Sequence, residues 1–383
     1  MRKKIITIIG ARPQIIKASA FSRAVKNHFQ DQIEEILVHT GQHYDENMSN
    51  VFFNEMGIPQ PNYNLSVGSG SHGAQTGKMI EGLESIFLAE KPDAVLVYGD
   101  TNSTIAGALA ATKIHIPVIH VEAGLRSFNK SMPEEINRIC CDHMSTLLFT
   151  PTQTGLTNLA TEGFNLTPQN KVDIDNPAVY MCGDVMYDNS LFFSEVSAQK
   201  STILSDIGVE ANQYILSTIH RDSNTDIAEN LENIFKGLLT VASQSNLKVV
   251  LPLHPRTKSK LKATLSPDLY AQVTSNEIIL IIDPAGFLDI IALEKNARLI
   301  ITDSGGLQKE AYFFKKPCLI LRPQTEWIEI VENGNAELVG ADYLKIIEGG
   351  LRLLNRDDFT YPSLYGDGKA AEFIANKILE HLS

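Results

Sequence analysis

Short apolar runs rich in Ile, Val and Leu alternate along this chain with longer segments of helical spacing. Unbroken apolar runs of strand length mark strands buried on both faces, and the segments between them mark the covering helices. In the first half the pattern predicts strands at residues 5–9, 36–38, 94–98, 118–121, 147–149 and 179–181. Met79, Leu83 and Phe87 recur at helical spacing, and residues 104–111 are small and Ala-rich, which suits a packed helix. Across 190–209 the pattern lapses into a polar stretch with Ser and Gln. It restarts with strands at 214–219, 249–253, 278–282, 299–302 and 318–321.

The expected fold class is therefore α/β, with two Rossmann-like, doubly wound parallel sheets and no close sequence repeat between the halves. A length of 383 residues agrees, since one hydrophobic core rarely serves so long a chain. The expected boundaries are 1–185 for the first domain and 186–368 for the second, with a last helix over 369–383 that could belong to either half, packing back on the first being one of the two arrangements open to it.

Composition narrows the function. With 43% hydrophobic and 20% charged residues the chain is an ordinary globular protein. A formal charge of −12 argues against a nucleic-acid partner, which would need a basic surface. Cys140, Cys141, Cys182 and Cys318 have no paired metal-ligand spacing, so no metal is expected, and they read as buried thiols of a reducing cytoplasm. Arg2, Lys3 and Lys4 before an apolar run imitate a signal peptide, but Arg12 and Lys17 interrupt it too early. No segment approaches the roughly 20 apolar residues of a membrane helix.

Ligands of doubly wound sheets sit at the carboxyl ends of the strands, so the polar residues after each apolar run are the candidates. After the first strand come Gly10, Ala11, Arg12, Pro13 and Gln14, leading into a helix that carries Lys17. Two cations by a helix start favour phosphate, and a solvated surface pair is the plainer alternative. After the third strand, Gly99, Asp100, Thr101 and Asn102 open a helix, where Asp100 could serve as a simple N-cap. His120, Val121, Glu122, Ala123 and Gly124 follow, with Arg126 beyond; a Glu at the end of a buried strand is expensive unless paired or functional. Pro133, Glu134, Glu135, Asn137 and Arg138 open another helix, whose dipole alone could explain the acids. Asp100, Glu122 and Glu134 fall along one rim of one sheet, and three acids there suggest proton transfer.

In the second half His220 and Arg221 follow one strand, and His254, Pro255 and Arg256 another. Thr302 and Asp303 then run into Ser304, Gly305 and Gly306 at a helix start, where bare backbone N–H groups can approach a diphosphate. Glu310, one turn on, is placed to accept ribose hydroxyls. Gly68, Gly70 and Gly73 match a dinucleotide fingerprint, but with no clear preceding strand they read as a flexible loop, usable as a lid. Gly77 and Lys78 lack the remainder of a P-loop.

Taken in order over nearly the whole chain, these motifs, with Tyr365, Gly366, Asp367 and Gly368, resemble the non-hydrolysing UDP-N-acetylglucosamine 2-epimerases. The resemblance implies a glycosyltransferase-B type fold with the active site in the interdomain cleft, UDP held mainly by the second domain, a homodimer and no redox cofactor. It places Asp100, Glu122, Glu134 and His220 in catalysis, and Arg12, Lys17, Arg138, His254, Ser304, Gly305, Gly306 and Glu310 against the UDP-sugar. It implies inversion at C2 of a UDP-N-acetylated amino sugar, by UDP elimination to a glycal and re-addition, in surface polysaccharide synthesis such as lipopolysaccharide.

Departures from the common pattern qualify the match. Gln42 and His43 are followed by Tyr44 and Asp45 rather than Arg, and His220 and Arg221 by Asp222 and Ser223, which leaves an activating UDP-sugar site open. The start Gly10, Ala11, Arg12, Pro13 and Gln14, the run from Gly41 to Asp45, and Thr325, Glu326 and Trp327 look more like the branch acting on UDP-2,3-diacetamido-2,3-dideoxy-glucuronate. Three alternatives remain: a hydrolysing 2-epimerase, a glycosyltransferase of the same fold, and a non-catalytic UDP-sugar sensor.

Overall fold

The computed structural model describes residues 2–42, 58–167, 169, 171–253 and 255–382, leaving out the side chains of 255–257 and 259. The chain divides into two compact units, one of residues 1–189 with 363–383 and the other of residues 190–362.

The first unit holds a seven-stranded parallel sheet made of β1 (Lys3–Ile9), β2 (Ile33–His39), β3 (Tyr63–Asn64), β4 (Ala94–Tyr98), β5 (Val118–Val121), β6 (Leu147–Thr150) and β7 (Ala178–Met181). Its order is β3-β2-β1-β4-β5-β6-β7, so the topology reverses between β1 and β4. The strands are apolar throughout because helices cover both faces: Ile6, Ile8, Val95 and Val97 pack with Met79, Leu83, Phe87 and the alanines of the Asn102–Lys113 helix. The Ala370–His381 helix, although last in sequence, packs on the Arg12–Ala24 helix of this unit.

The second unit repeats the plan with six parallel strands, β8 (Tyr214–Thr218), β9 (Lys248–Pro252), β10 (Ile279–Ile282), β11 (Leu299–Thr302), β12 (Cys318–Ile320) and β13 (Ala336–Leu338). Their order is β10-β9-β8-β11-β12-β13, and one core runs from Ile215 and Leu251 to Phe235, Val241 and Ile346.

Three expectations change. The lapse over 190–209 is largely helical, in Val185–Lys200 and Ile203–Asp206. Apolar residues are spread around the first of these helices, so it shows almost no amphipathic period. Second, two short strands, β3 and β13, escaped the apolar pattern because only a few residues of each pair with a neighbour. Third, the glycine-rich stretch is not a free loop at its start. Leu65, Val67 and Gly68 donate to the carbonyls of His39, Thr40 and Gly41, continuing the β3 pairing, and a helix begins at His72. Among the described residues no helix is long and apolar enough to cross a membrane.

Candidate active site

The switch between β1 and β4 opens at the carboxyl end of the first sheet, where a ligand crevice forms in such folds. Gly10 ends β1 because nothing larger fits: a Cβ there would lie 2.0 Å from Ser103 Oγ and 2.2 Å from Thr40 Oγ1. Gln14 is structural. Its side-chain oxygen accepts from the Gly10 and Ala11 N–H groups at 2.9 and 3.2 Å, and its amide donates to Tyr98 O and Thr104 Oγ1 at 3.0 Å. The buried glutamine thus locks the start of the Arg12–Ala24 helix to the end of β4. Arg12 stands exposed at that helix start, and Lys17 lies on the same helix.

Four of the proposed residues come together on this rim. Lys17 forms an ion pair with Glu122, whose side chain is 6% exposed. A Cβ on Gly99 would meet the Glu122 carboxylate at 3.3 Å and Lys17 Nζ at 3.4 Å, so both groups lie against the peptide before Asp100. Asp100 does not cap the following helix; Thr101 does, accepting from Thr104 N–H. That leaves the Asp100 carboxylate, 31% exposed, to pair with Arg138. Asn137 Nδ2 donates to Asp100 O at 2.9 Å, fastening the Pro133–His143 helix to the same loop.

The two adjacent glutamates of that helix part company. Glu134 is exposed in the first turn, with no hydrogen-bond or ion-pair partner among the described residues. Glu135 is buried, accepts from the Ser127 and Phe128 N–H groups at 2.9 Å each, and receives Arg138 Nη1 at 2.6 Å. Burial by itself would raise the Glu135 carboxyl; the Ser127 N–H and Arg138 outweigh it and hold the group below its ordinary value. Helix-dipole stabilisation is therefore not the main role of Glu135: it orients Arg138 and anchors the preceding turn.

Glu122 itself adopts φ +70, a left-handed conformation that costs a glutamate roughly 1–3 kcal/mol and persists only where its surroundings impose it. Arg126, noted as a candidate neighbour, is buried and points away into an ion pair with Asp142 at 2.7 Å and a fork onto Glu162 at 2.7 and 2.6 Å.

The second unit carries its own cluster at the ends of β8 and β11. Asp303, fully buried, accepts from the backbone N–H of His220 with both oxygens, and from Arg221 N–H and Asn224 Nδ2, all at 3.0 Å. Asp303 is thus the anchor of the His220 loop, and the His220 side chain is left exposed. Ser304 precedes the Gly305–Phe313 helix without capping it, and no acid occupies the first turn. The leading N–H groups and the positive end of the helix dipole therefore remain available to an anion. Around Gly306 converge Ser304 Oγ and a Glu310 oxygen, 3.8 and 3.9 Å from where its Cβ would stand.

Sequence reading noted Glu326 and Trp327 only as marks of a family branch and missed Arg322 and Lys309, which gather with them above this turn. Arg322 forks onto Glu326 at 3.0 and 2.8 Å, and both lie, with Trp327 Nε1, 3.7 to 3.9 Å from a Cβ placed on Gly305. Burial pushes the Glu326 carboxyl up, and Arg322 more than reverses it, leaving the group below its usual range. Lys309 lies over the Trp327 ring, 4.1 Å from its centroid. An Arg just after an apolar run was the available signal. His254 lies outside the described residues, as do His43, Tyr44 and Asp45. Among the described residues no group of His, Cys, Asp and Glu is arranged to hold a metal ion.

Known proteins resemble this chain over nearly its whole length. A family model described as UDP-N-acetylglucosamine 2-epimerase matches residues 25–379. A UDP-N-acetylglucosamine 2-epimerase homolog of Methanococcus maripaludis is 48% identical over 369 residues, 96% of this chain and 97% of that protein. The UDP-2,3-diacetamido-2,3-dideoxy-D-glucuronate 2-epimerase of Pseudomonas aeruginosa is also 48% identical, over 97% of this chain and 98% of its own. The crystal structure of Methanocaldococcus jannaschii UDP-GlcNAc 2-epimerase with UDP-GlcNAc and UDP is 41% identical, covers 98% of this chain and 99% of that one, and superposes with a TM-score of 0.81. The chain belongs to the UDP-N-acetylglucosamine 2-epimerase family, and its two parallel-sheet units are of the glycosyltransferase-B type.

Proposed function

We propose that this member of the family is a non-hydrolysing 2-epimerase of a UDP-N-acetylated amino sugar. Its substrate is UDP-N-acetylglucosamine or UDP-2,3-diacetamido-2,3-dideoxy-glucuronate, each converted to its manno epimer. The observation that carries the reading is the gathering of Asp100, Glu122, Lys17 and Arg138 on one sheet rim, in a chain matched nearly end to end by 2-epimerases.

The chemistry accounts for the residue types. The C2–H of an amino sugar is barely acidic until departure of UDP develops positive character at C1. The C1–O bond breaks with its electron pair leaving on the diphosphate, the C2 proton passes to a carboxylate, and a C1=C2 double bond forms. Re-addition of UDP to C1 and protonation of the opposite face of C2 complete the inversion. No oxidation state changes, so the reaction requires no redox cofactor.

In this assignment the Ser304, Gly305 and Gly306 turn, with Arg12 and His254, stabilises the leaving diphosphate, and Glu310 accepts ribose hydroxyls. Asp100, Glu122, Glu134 and His220 supply acid and base groups, while Lys17 and Arg138 pair with two of the carboxylates and orient them. The family resemblance further supports a cytoplasmic homodimer serving surface polysaccharide synthesis, with no nucleic-acid or membrane partner.

The test is direct. Purified protein incubated in heavy water with each UDP-sugar should incorporate deuterium at C2 of one of them, followed by NMR, as the manno epimer accumulates. No incorporation with either sugar defeats the proposal. Stoichiometric release of free UDP would instead identify a hydrolysing enzyme.

A further inference from the structure

His120 is the third residue of β5 and fully buried, in a strand whose other residues are valine and isoleucine. A polar ring in such a place is tolerated only if both nitrogens find partners. They do: Nδ1 lies 2.7 Å from Asp142 Oδ1, and Nε2 lies 2.8 Å from Gly99 O. Both partners are acceptors, whereas a neutral imidazole carries one N–H, so both contacts are hydrogen bonds only when the ring is an imidazolium. Burial alone would lower the pKa of His120, but Cys141 and Asp142, which face the ring, raise it well above the ordinary histidine value.

The partners reach further. The second oxygen of Asp142 accepts Gly124 N–H at 3.1 Å and Arg126 at 2.7 Å, and Arg126 is in turn held by Glu162. The positive charges of His120 and Arg126 are thus balanced by Asp142, fully buried, and by Glu162, which reaches the surface and also meets His143. One end of these linked contacts grips the carbonyl of Gly99, one peptide before Asp100. The other grips the N–H of Gly124, two residues after Glu122. Gly99 and Gly124, at φ +62 and +77, supply turns that glycine adopts readily, whereas Glu122 between them in the chain is held at φ +70 against the preference of its residue type.

We propose that His120, bridged to Asp142, is a positioning residue for epimerisation: it fixes the backbone of the loops bearing Asp100 and Glu122 at one mutual spacing. The role rests on the 2-epimerase reading. Inversion at C2 requires one group to remove a proton and another to deliver one to the opposite face, so the separation of the two loops governs the rate of proton transfer. Neither His120 nor Asp142 needs to touch the sugar.

His120→Asn and Asp142→Asn, assayed with the epimerised UDP-sugar and its C2-deuterated form, provide the test. The expected result is a fall in kcat of at least 10-fold with KM and UDP affinity changed less than 3-fold, and a larger primary isotope effect on kcat. A purely structural role would reduce the fraction of active enzyme and leave the isotope effect where it was, which overturns the proposal. If the wild-type protein itself exchanges no C2 hydrogen, the functional reading fails and not the bridge. Spectroscopy of ¹⁵N-histidine in the intact protein covers variants that do not fold: His120 should remain doubly protonated at pH 8, and a neutral ring there overturns the bridge.

Discussion

Lys17 and Glu122 form an ion pair in which the carboxylate is almost entirely out of water while the ammonium keeps 17% of its side-chain surface. Removing the cation strands a buried charge. Lys17→Met should cost about 2–4 kcal/mol of stability, somewhat below a fully buried pair because Lys17 retains some solvent. Adding Glu122→Gln should recover most of that loss. Urea titrations of the two single variants and the double variant measure the coupling, and independent, additive losses would contradict it.

Asp100→Asn and Glu122→Gln replace a carboxyl group by an amide of about the same size that can neither take up nor give a proton. Turnover should fall by at least ~100-fold, the contribution of a positioned acid or base, with UDP affinity nearly intact. Calorimetric UDP titration beside steady-state rates checks this, and near-normal turnover in both variants would remove these residues from the mechanism.

Adjacent residues of one helix should behave differently. Glu134→Gln, at an exposed position, should leave stability within about 0.5 kcal/mol of wild type while turnover falls. Glu135→Gln leaves Arg138 without its buried carboxylate partner and weakens the turn at Ser127 and Phe128, which should cost roughly 1–3 kcal/mol. Thermal melts paired with rate measurements separate the two, and equal stability losses would show that the division of roles is mistaken.

A methyl group placed on Gly305 meets Arg322, Glu326 and Trp327 no closer than 3.7 Å. Gly305→Ala should therefore fold with unchanged stability, yet occupy space that a diphosphate needs above the turn. UDP affinity should drop by at least ~10-fold, since a phosphate approaching backbone N–H groups tolerates little bulk. Unaltered UDP binding would move the diphosphate elsewhere.

His39, at the end of β2, accepts Gly41 N–H on Nδ1 at 2.9 Å, and burial pulls its pKa down to about 4. The folded state therefore holds a neutral ring, while the unfolded chain protonates it near pH 6.5. Its contribution is complete above that pH and is lost as pH falls from 6.5 toward 4, amounting to about 2 kcal/mol at pH 5. His39→Gln should flatten the pH dependence of urea unfolding between pH 7.5 and 5 by that amount. Superimposable profiles for the two proteins would rule the effect out.

Much of the scaffold was legible because buried parallel strands must be apolar. Residues 94–98, 118–121 and 299–302 coincide with β4, β5 and β11 to the residue. The Val185–Lys200 helix was hidden because its buried face carries Asn189, Ser190, Ser194 and Ser197 while Leu191 and Phe192 are exposed, which erases the apolar stripe. In the site, the strand-end rule located Asp100, Glu122 and Ser304, because topology alone decides where loops with access to a ligand occur. It could not tell Glu134 from Glu135, whose difference is set by which face of the helix meets the Ser127 turn. Nor could it show that Asp303 and Gln14 anchor loops through their own hydrogen bonds. Those roles depend on partners 80 or more residues away, as with Asp303 and His220 or Gln14 and Tyr98, and spacing along the chain carries no trace of them.

The return of residues 363–383 to the first unit orders events during synthesis. Asp188 caps the Ala370–His381 helix by accepting the N–H groups of Ala370 and Ala371, and that helix covers the one carrying Lys17. The second unit is contained entirely in chain made earlier. The half that houses the acids keeps one flank uncovered until residues 370–381 have been made and laid back on it.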